Sequence, residues 1–408
     1  MTDLLLALDL GTTTLAGRLL NVDGAVVAEG RLDNPQAALG RDVITRLEAA
    51  RSGAAAQLQD LLVQGITELA ESLLSQAGAT PPALAHIALA ANPAITYLLL
   101  KLPVDEILFP PHRPSHPQGT IIDSKELGLP WSIPCFIFPL VSGFVGGDLV
   151  AVLLSQGAAE PGSLVLDIGT NGEMALLTET GWLATSVAAG PAFEGQEIAC
   201  GMAAAPGAIT QVMVENDSLR YKTIGNMPPK GICGSGLVEA VAVARQHGLI
   251  DYHGRIVAPD EVAGSLSRYL AETDDGMALR IYRDARVDLI ISQQDVRALQ
   301  LAKGAIHAGL VCLLKRVGVT VEAVRELLIT GTFGFSLRRE ALKSIALVPP
   351  DMVEKVFFNP GGVLDGVSCL LHDPAGTEQV AALAGRIKAY PLSGTPAFEK
   401  AFLKSMDF

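Results

Sequence analysis

Three shortages narrow what this chain of 408 residues can be. Cysteine is sparse and scattered: Cys135, Cys200, Cys233, Cys312 and Cys369 are five in number, with no CxxC pair. That spacing excludes a zinc ribbon and a conventional ferredoxin cluster, and it predicts separate reduced thiols. It leaves open a cluster shared across a dimer by Cys200 and Cys233. Basic charge is short too, 30 Lys and Arg against 43 Asp and Glu, a formal charge of -13. Nucleic acid needs clustered cations to meet its phosphates, so no nucleic-acid partner is expected. A magnesium-bound nucleotide or an acidic protein partner stays open. Long apolar runs are the third absence. A membrane helix needs roughly 18 to 20 uncharged residues, and the longest candidate, 83–100, is interrupted by His86, Asn92 and Pro93. No membrane partner is expected. The chain enters strand 4–10 with no basic segment ahead of it, which predicts a cytoplasmic address.

What the sequence does contain is a device used twice. Residues 4–14 read LLLALDLGTTT, an apolar strand ending in Asp9, a glycine and three threonines. An unpaired buried carboxylate costs several kcal/mol, so an aspartate at that place signals a task. Residues 164–173, LVLDIGTNGE, repeat the order around Asp167. A glycine turn lets backbone N–H groups approach phosphate oxygens, and threonine hydroxyls add donors. An aspartate at the strand end holds Mg2+ through water, because that small ion keeps much of its hydration shell. On this reading Asp9 and Asp167 serve the metal. Gly11, Thr12, Thr13 and Thr14 hold phosphates in one turn, and Gly169, Thr170, Asn171 and Gly172 hold them in the other. A third strand runs into LLITGTFG (327–334), where Gly331, Thr332 and Gly334 allow close backbone approach to a flat adenosine. Each turn alone also reads as a capped strand end; two copies, each opening a meander, argue against coincidence.

Length favours two core-bearing halves, since single cores stop growing near roughly 250 to 300 residues. The expected domains are 1–160 and 161–408, with a C-terminal helix returning to the first. Alternation predicts strands over 4–10, 15–21 and 25–31, the last two joined at Asp23 and Gly24. Helical spacing covers 43–76, broken near Ser52 and Gly53. A strand over 87–91 and a helix over 94–102 follow. Proline-dense residues 103–139 predict an irregular excursion with edge structure. Beyond a helix over 147–156 the pattern restarts, with strands at 174–177, 182–187 and 326–330 and helices at 235–247, 293–317 and 335–345.

Other residues have competing readings. Asp148 in GGDLVAVLL is either a base for a water or hydroxyl attacking phosphate, or the N-cap of its helix. Glu173 and Glu194 lie in glycine-bearing loops where either could assist water or metal; for Glu194 an exposed loop acid reads equally well. Gln293 and Asp295 read as caps of the long helix. His112 and His116 have metal-ligand spacing, but the prolines around them prevent the helix that would align them. Cys233 in GICGSG reads as a small buried packing residue.

The set DLGTTT, DIGTNGE and TGTFG resembles the phosphate 1, phosphate 2 and adenosine motifs of the actin, sugar-kinase and Hsp70 superfamily. That resemblance implies an α/β fold of two ribonuclease-H-like domains with a nucleotide cleft between them. Further stretches, NPQAALGRDVITR (34–46), SGFVGGD (142–148), AAGPAFEGQEIACGM (188–202), GICGSGL (231–237) and QQDVRALQLAKGAI (293–306), resemble the ATPase domain of reductive activators of corrinoid proteins. The resemblance covers nearly the whole chain. It implies an ATP- and Mg2+-dependent activator that restores Co(I) from Co(II) on a corrinoid protein of a methyltransferase system, working as a homodimer. Within the superfamily Asp148 stands where sugar kinases carry the catalytic aspartate. Members of the family carry an iron-sulfur domain, and these residues hold no cysteine-rich module, so an external low-potential, ferredoxin-like electron donor is expected. Asn92-Pro93-Ala94 and Thr332 depart from the family pattern. A small-molecule kinase and a nucleotide-gated scaffold are the alternative functions; no recognisable sugar-binding loop favours the former.

Overall fold

The computed structural model describes residues 3–116, 118–331, 337–359 and 361–408. Apolar alternation folds β1 (Leu4–Leu10), β2 (Thr14–Asn21) and β3 (Val26–Asp33) into an antiparallel meander. Helix α1 (Val43–Ala49) leads through a wide turn at residues 50–54 into α2 (Ala55–Gln76). The predicted break is Gly53, whose φ of 108° no helix accommodates. Then come β4 (Leu84–Ala91), α3 (Pro93–Leu100), α4 (Asp105–Leu108), β5 (Thr120–Asp123), β6 (Pro134–Ile137) and α5 (Gly147–Ser155).

The second half opens with β7 (Ser163–Ile168), β8 (Asn171–Thr178) and β9 (Gly181–Ala188). It continues through β10 (Ala208–Glu215), β11 (Ser218–Thr223), β12 (Gly231–Ile232), α6 (Gly234–Gln246), β13 (Leu270–Thr273), β14 (Gly276–Arg283) and β15 (Asp288–Ser292). After α7 (Gln293–Val317) come β16 (Glu326–Gly331), α8 (Arg339–Ser344), β17 (Val356–Phe358), α9 (Gly362–His372), α10 (Gly376–Ala384), β18 (Ile387–Ala389) and α11 (Pro396–Lys404).

Two compact units result. The first holds residues 1–160, 178–184 and 361–390; the second holds 161–177, 185–360 and 391–408. In the first, strands run β3-β2-β1-β4-β6-β5, with β4 parallel to β1, β6 parallel to β4, and β5 an antiparallel edge. Leu58, Leu62, Ile66, Leu69 and Leu73 form the buried face of α2. That face lies over β2 and β3, where Gly17 and Gly30 leave room for the Leu69 and Leu73 side chains. The proline-dense stretch is more ordered than predicted. Its prolines bracket β6 instead of breaking it, because Pro134 takes the first position of the strand, where its missing N–H is tolerated.

A second six-stranded sheet, β17-β16-β7-β8-β9-β18, repeats the plan. β7 and β8 pair antiparallel, β9 lies next to β8, and β16 and β17 continue on the other side as parallel strands. The order β9-β8-β7-β16-β17 matches β3-β2-β1-β4-β6, which is the duplication implied by the two aspartate turns. Two three-stranded sheets, β11-β10-β12 and β13-β14-β15, fill the chain between β9 and α7, where the residues show no clear periodicity. The last helix, α11, packs on α7 as part of the second unit, so it is not the element that returns to the first. The helices that do return there are α9 and α10, and α9 lies on β1, β2, β4 and α5. Among the described residues only α7 is long and apolar enough to cross a membrane, and 72% of that window is buried in the protein as a core helix would be.

Candidate functional site

In each unit the aspartate turn stands at the carboxyl end of a parallel strand pair, where open α/β sheets bind their ligands. Asp9 ends β1 beside Ala90 of β4. The chain then turns through Gly11, whose N–H donates to Thr14 O at 3.0 Å. A side chain at Gly11 would press on that same carbonyl oxygen. Thr12 is buried, and its hydroxyl oxygen accepts from Asn92 Nδ2 at 3.1 Å. Asn92 also caps α3, its Oδ1 accepting from Ile95 N at 3.0 Å. Sequence reasoning missed Asn92 as a site residue. Its signal was the Asn-Pro pair, the N-cap and first position of a helix.

Asp148 sits in the first turn of α5, one position inside the helix; the N-cap is Gly146. Its Oδ1 accepts from Leu149 N at 2.8 Å. Burial pushes its carboxyl up to about 6, against the backbone donors that favour the charged form. Gly146 brings α5 against the strand end: a Cβ there would stand 2.6 Å from Ala91 O, 2.7 Å from Asn92 Cα and 2.8 Å from Asp148 Oδ1. The first turn, Asn92 and Asp148 therefore gather at one edge of the first unit.

In the second unit Asp167 on β7 pairs with Thr330 of β16 on one side and Glu173 of β8 on the other. Directly paired antiparallel residues share a sheet face, so two carboxylates stand side by side. Ser186 Oγ donates to Glu173 Oε1 at 2.9 Å, and Glu173 is buried. The Gly169 N–H donates to Asn171 O at 2.8 Å to close the turn, and Thr170 Oγ1 donates to Glu194 Oε2 at 2.9 Å. Glu194 is half-buried and attached to the turn, so it is more than an exposed loop acid. Gly172 backs onto Ile306 of α7, where a Cβ would overlap that side chain. Gly331 has φ 84°, and a Cβ there would overlap Asp167 Oδ1 and Ile168 O. β16 thus needs Gly331 to lie against β7. Thr332 and Gly334 fall outside the described residues.

The competing readings separate. Asp295 is a cap: its Oδ2 accepts from Ser292 N while Ser292 Oγ accepts from Asp295 N, and its Oδ1 holds Ala199 N at 2.9 Å. Gln293 bridges Ile256 N and Gly254 O. Cys233 is buried, with Sγ donating to Ile209 O at 3.3 Å, and burial pushes the Cys200 thiol up to about 12. All five cysteines are free thiols. Among the described residues no three His, Cys, Asp or Glu side chains gather to hold a metal.

A family model described as the C-terminal domain of RACo, the ASKHA domain, matches residues 162–408, and one described as the RACo middle region matches residues 4–160. The chain belongs to the RACo family. Corrinoid activation enzyme RamQ of Eubacterium limosum is 30% identical over 355 residues, covering 84% of this chain and 60% of that protein. The Co(II) methylated amine-specific corrinoid protein reductase of Methanosarcina barkeri is 27% identical over 258 residues, covering 57% and 43%. The solved reductive activator for corrinoid, iron-sulfur protein shares 30% identity at a TM-score of 0.93, over 100% of this chain and 66% of that one. This RACo-family chain therefore has the two-domain actin-like fold expected of it, and it spans about half the length of the curated relatives it matches.

Proposed function

We infer that this chain binds and hydrolyses Mg-ATP to reactivate a corrinoid protein of a methyltransferase system, supporting reduction of its Co(II) to Co(I). The observation that carries this is the match in fold over the whole chain to a reductive activator of a corrinoid protein. The electron comes from a low-potential, ferredoxin-like group outside these 408 residues, since their cysteines have no cluster spacing.

The residues at the two strand ends suit the group. Asp9 and Asp167 offer hard carboxylate oxygens, the donor type Mg2+ prefers, and Glu173 stands beside Asp167 on the neighbouring strand. Bound Mg-ATP would supply the free energy of phosphoryl transfer. The chain's own part is orientation and proton handling. The Gly11 and Gly169 N–H groups close their turns, and backbone N–H groups of residues 12–14 and 170–171 hold phosphate oxygens. Asp148, ionised above about pH 6, accepts a proton from the attacking water. Glu173, fixed by Ser186, holds water beside Asp167. ATP use drives reactivation only if the corrinoid partner binds the two nucleotide states with different affinity.

The test is the visible spectrum of a Co(II) corrinoid protein mixed with this chain and a low-potential reductant, with and without Mg-ATP. Growth of the Co(I) band only with ATP is expected. ATP binding without any ATP-dependent change in the cobalt spectrum would overturn the activator reading in favour of a small-molecule kinase or a nucleotide-gated scaffold.

A further inference from the structure

The stretch 34–46, NPQAALGRDVITR, carries an arginine that neither metal nor phosphate chemistry has yet used. Arg46 on α1 is fully buried. Its Nε donates to Gly40 O at 2.8 Å and its Nη1 to Gln36 Oε1 at 3.2 Å, while Nη2 has no hydrogen-bond partner. Burial draws the guanidinium down to about 10. Asp42 raises it in turn, but the oxygens of Asp42 are engaged by Thr45 as the helix cap. A buried cation without a paired carboxylate is a poor stabiliser, and an aliphatic side chain of the same volume would often serve the core as well or better. Something other than core packing is needed to explain it.

The hydrogen bonds lead from Arg46 to the first phosphate turn. Gln36, also fully buried, donates its Nε2 to Leu58 O on α2 at 2.9 Å while its Oε1 accepts from Arg46. The Gln36 N–H donates to Asn34 Oδ1 at 3.0 Å. Asn34 is buried, and it reaches the turn twice: Nδ2 donates to Gly11 O at 2.8 Å, and its backbone N–H donates to Thr13 O at 2.7 Å. Those carbonyls are the groups in the turn that would repel a phosphate. Bound to Asn34, they are directed toward it, which fixes the alternation of carbonyls and N–H groups that an anion nest requires.

We propose that Asn34, Gln36 and Arg46 are positioning residues for the nucleotide triphosphate, a buried relay that sets the first phosphate turn without touching the ligand. The proposal rests on the ATP-binding reading above. Arg46 anchors Gln36 from α1, Gln36 ties α2 to Asn34, and Asn34 shapes the turn. Preorganised donors act on phosphate only when held within a narrow geometry, so loosening the relay weakens phosphate binding and leaves adenosine binding alone.

Arg46→Met in the full chain tests this, with Mg-ATP and adenosine affinities measured by calorimetry beside a thermal melt. The expected result is a loss of Mg-ATP affinity of about tenfold or more, unchanged adenosine affinity and little change in melting temperature. Should that variant fail to fold, Asn34→Ser keeps a cap for Gln36 N but cannot reach Gly11 O, and the same split between ATP and adenosine is expected of it. Equal losses for both ligands, or unchanged ATP affinity, would overturn the relay. If the parent chain binds adenosine and ATP equally, the triphosphate reading itself fails, and that outcome is seen before any variant is made.

Discussion

At the scale of single residues, Asp148 at the candidate site departs from ordinary carboxylate behaviour. Burial pushes its carboxyl up from an ordinary 3.8 to about 6, against the backbone donors that favour the charge. A raised carboxyl pKa means that the folded chain holds a proton the unfolded chain has released. The stability linked to it is complete below about pH 4 and is lost as pH rises through about 6. At pH 7 the ionised group is a burden of up to about 3 kcal/mol, since each pH unit between the two values is worth about 1.4 kcal/mol. Asp148→Asn should therefore stabilise the chain at pH 7 and differ little from it at pH 4, measured by urea unfolding at both values. The same variant should lower ATP turnover by about a hundredfold or more, as expected on removing a general base. Equal stability effects at the two pH values would show that Asp148 titrates as an ordinary carboxylate. A variant that gains stability and loses turnover together would show the pattern expected of a working group.

At the scale of elements, an ion pair joins three of them. Glu239 on α6 is buried and accepts from the Arg338 backbone N at 2.9 Å, from its Nε at 2.7 Å and from its Nη2. Arg338 Nη2 also donates to Val212 O on β10. The pair fixes the start of α8. Arg338→Leu strands a buried carboxylate and should destabilise by about 3–5 kcal/mol, whereas Glu239→Leu with Arg338→Met should recover most of that. Urea midpoints for the two variants decide it, and equal losses would show that the charge pairing is incidental. None of this was legible in the sequence, because the partners are 99 positions apart and Glu239 looks like a stray charge on an apolar helix. Legible instead were elements with local periodicity or caps: the meander 4–31, the break at Gly53, and α7, whose bounds 293–317 follow from its cap and apolar spacing. The two aspartate turns could be read as turns because the strand, glycine and hydroxyl residues that form them are consecutive. Asn34 and Asn92, which hold the first turn from 23 and 80 positions away, could not.

At the scale of the whole molecule, the first unit is assembled from three separate stretches of chain, and the last of them begins at residue 361, long after the main body ends at 160. Helix α9, GVLDGVSCLLH, carries mid-helix a glycine that costs about 1 kcal/mol relative to alanine in an open helix. Gly366 is nonetheless what lets α9 dock: a Cβ there would overlap the Ala151 carbonyl of α5. Around that contact Val363, Leu364, Val367 and Leu370 are buried, and Arg18 of β2 donates to Asp365 Oδ1 at 2.8 Å. Four buried aliphatics are worth roughly 6–12 kcal/mol, which is of the order of a domain's total stability. Gly366→Ala forces the clash onto backbone rather than onto a yielding side chain. A loss toward the top of the roughly 1–3 kcal/mol range for overpacked cores, or beyond it, is expected. The loss should be local. Hydrogen exchange should speed up in β1, β2, β4 and α5, while β10 to β15 of the second unit keep their protection. Mg-ATP affinity should fall with it, because Asp9 and Asp148 ride on β1 and α5. Uniform loosening of both units would mean instead that the two fold as one cooperative block, and that α9 has no special hold over the strands it packs on.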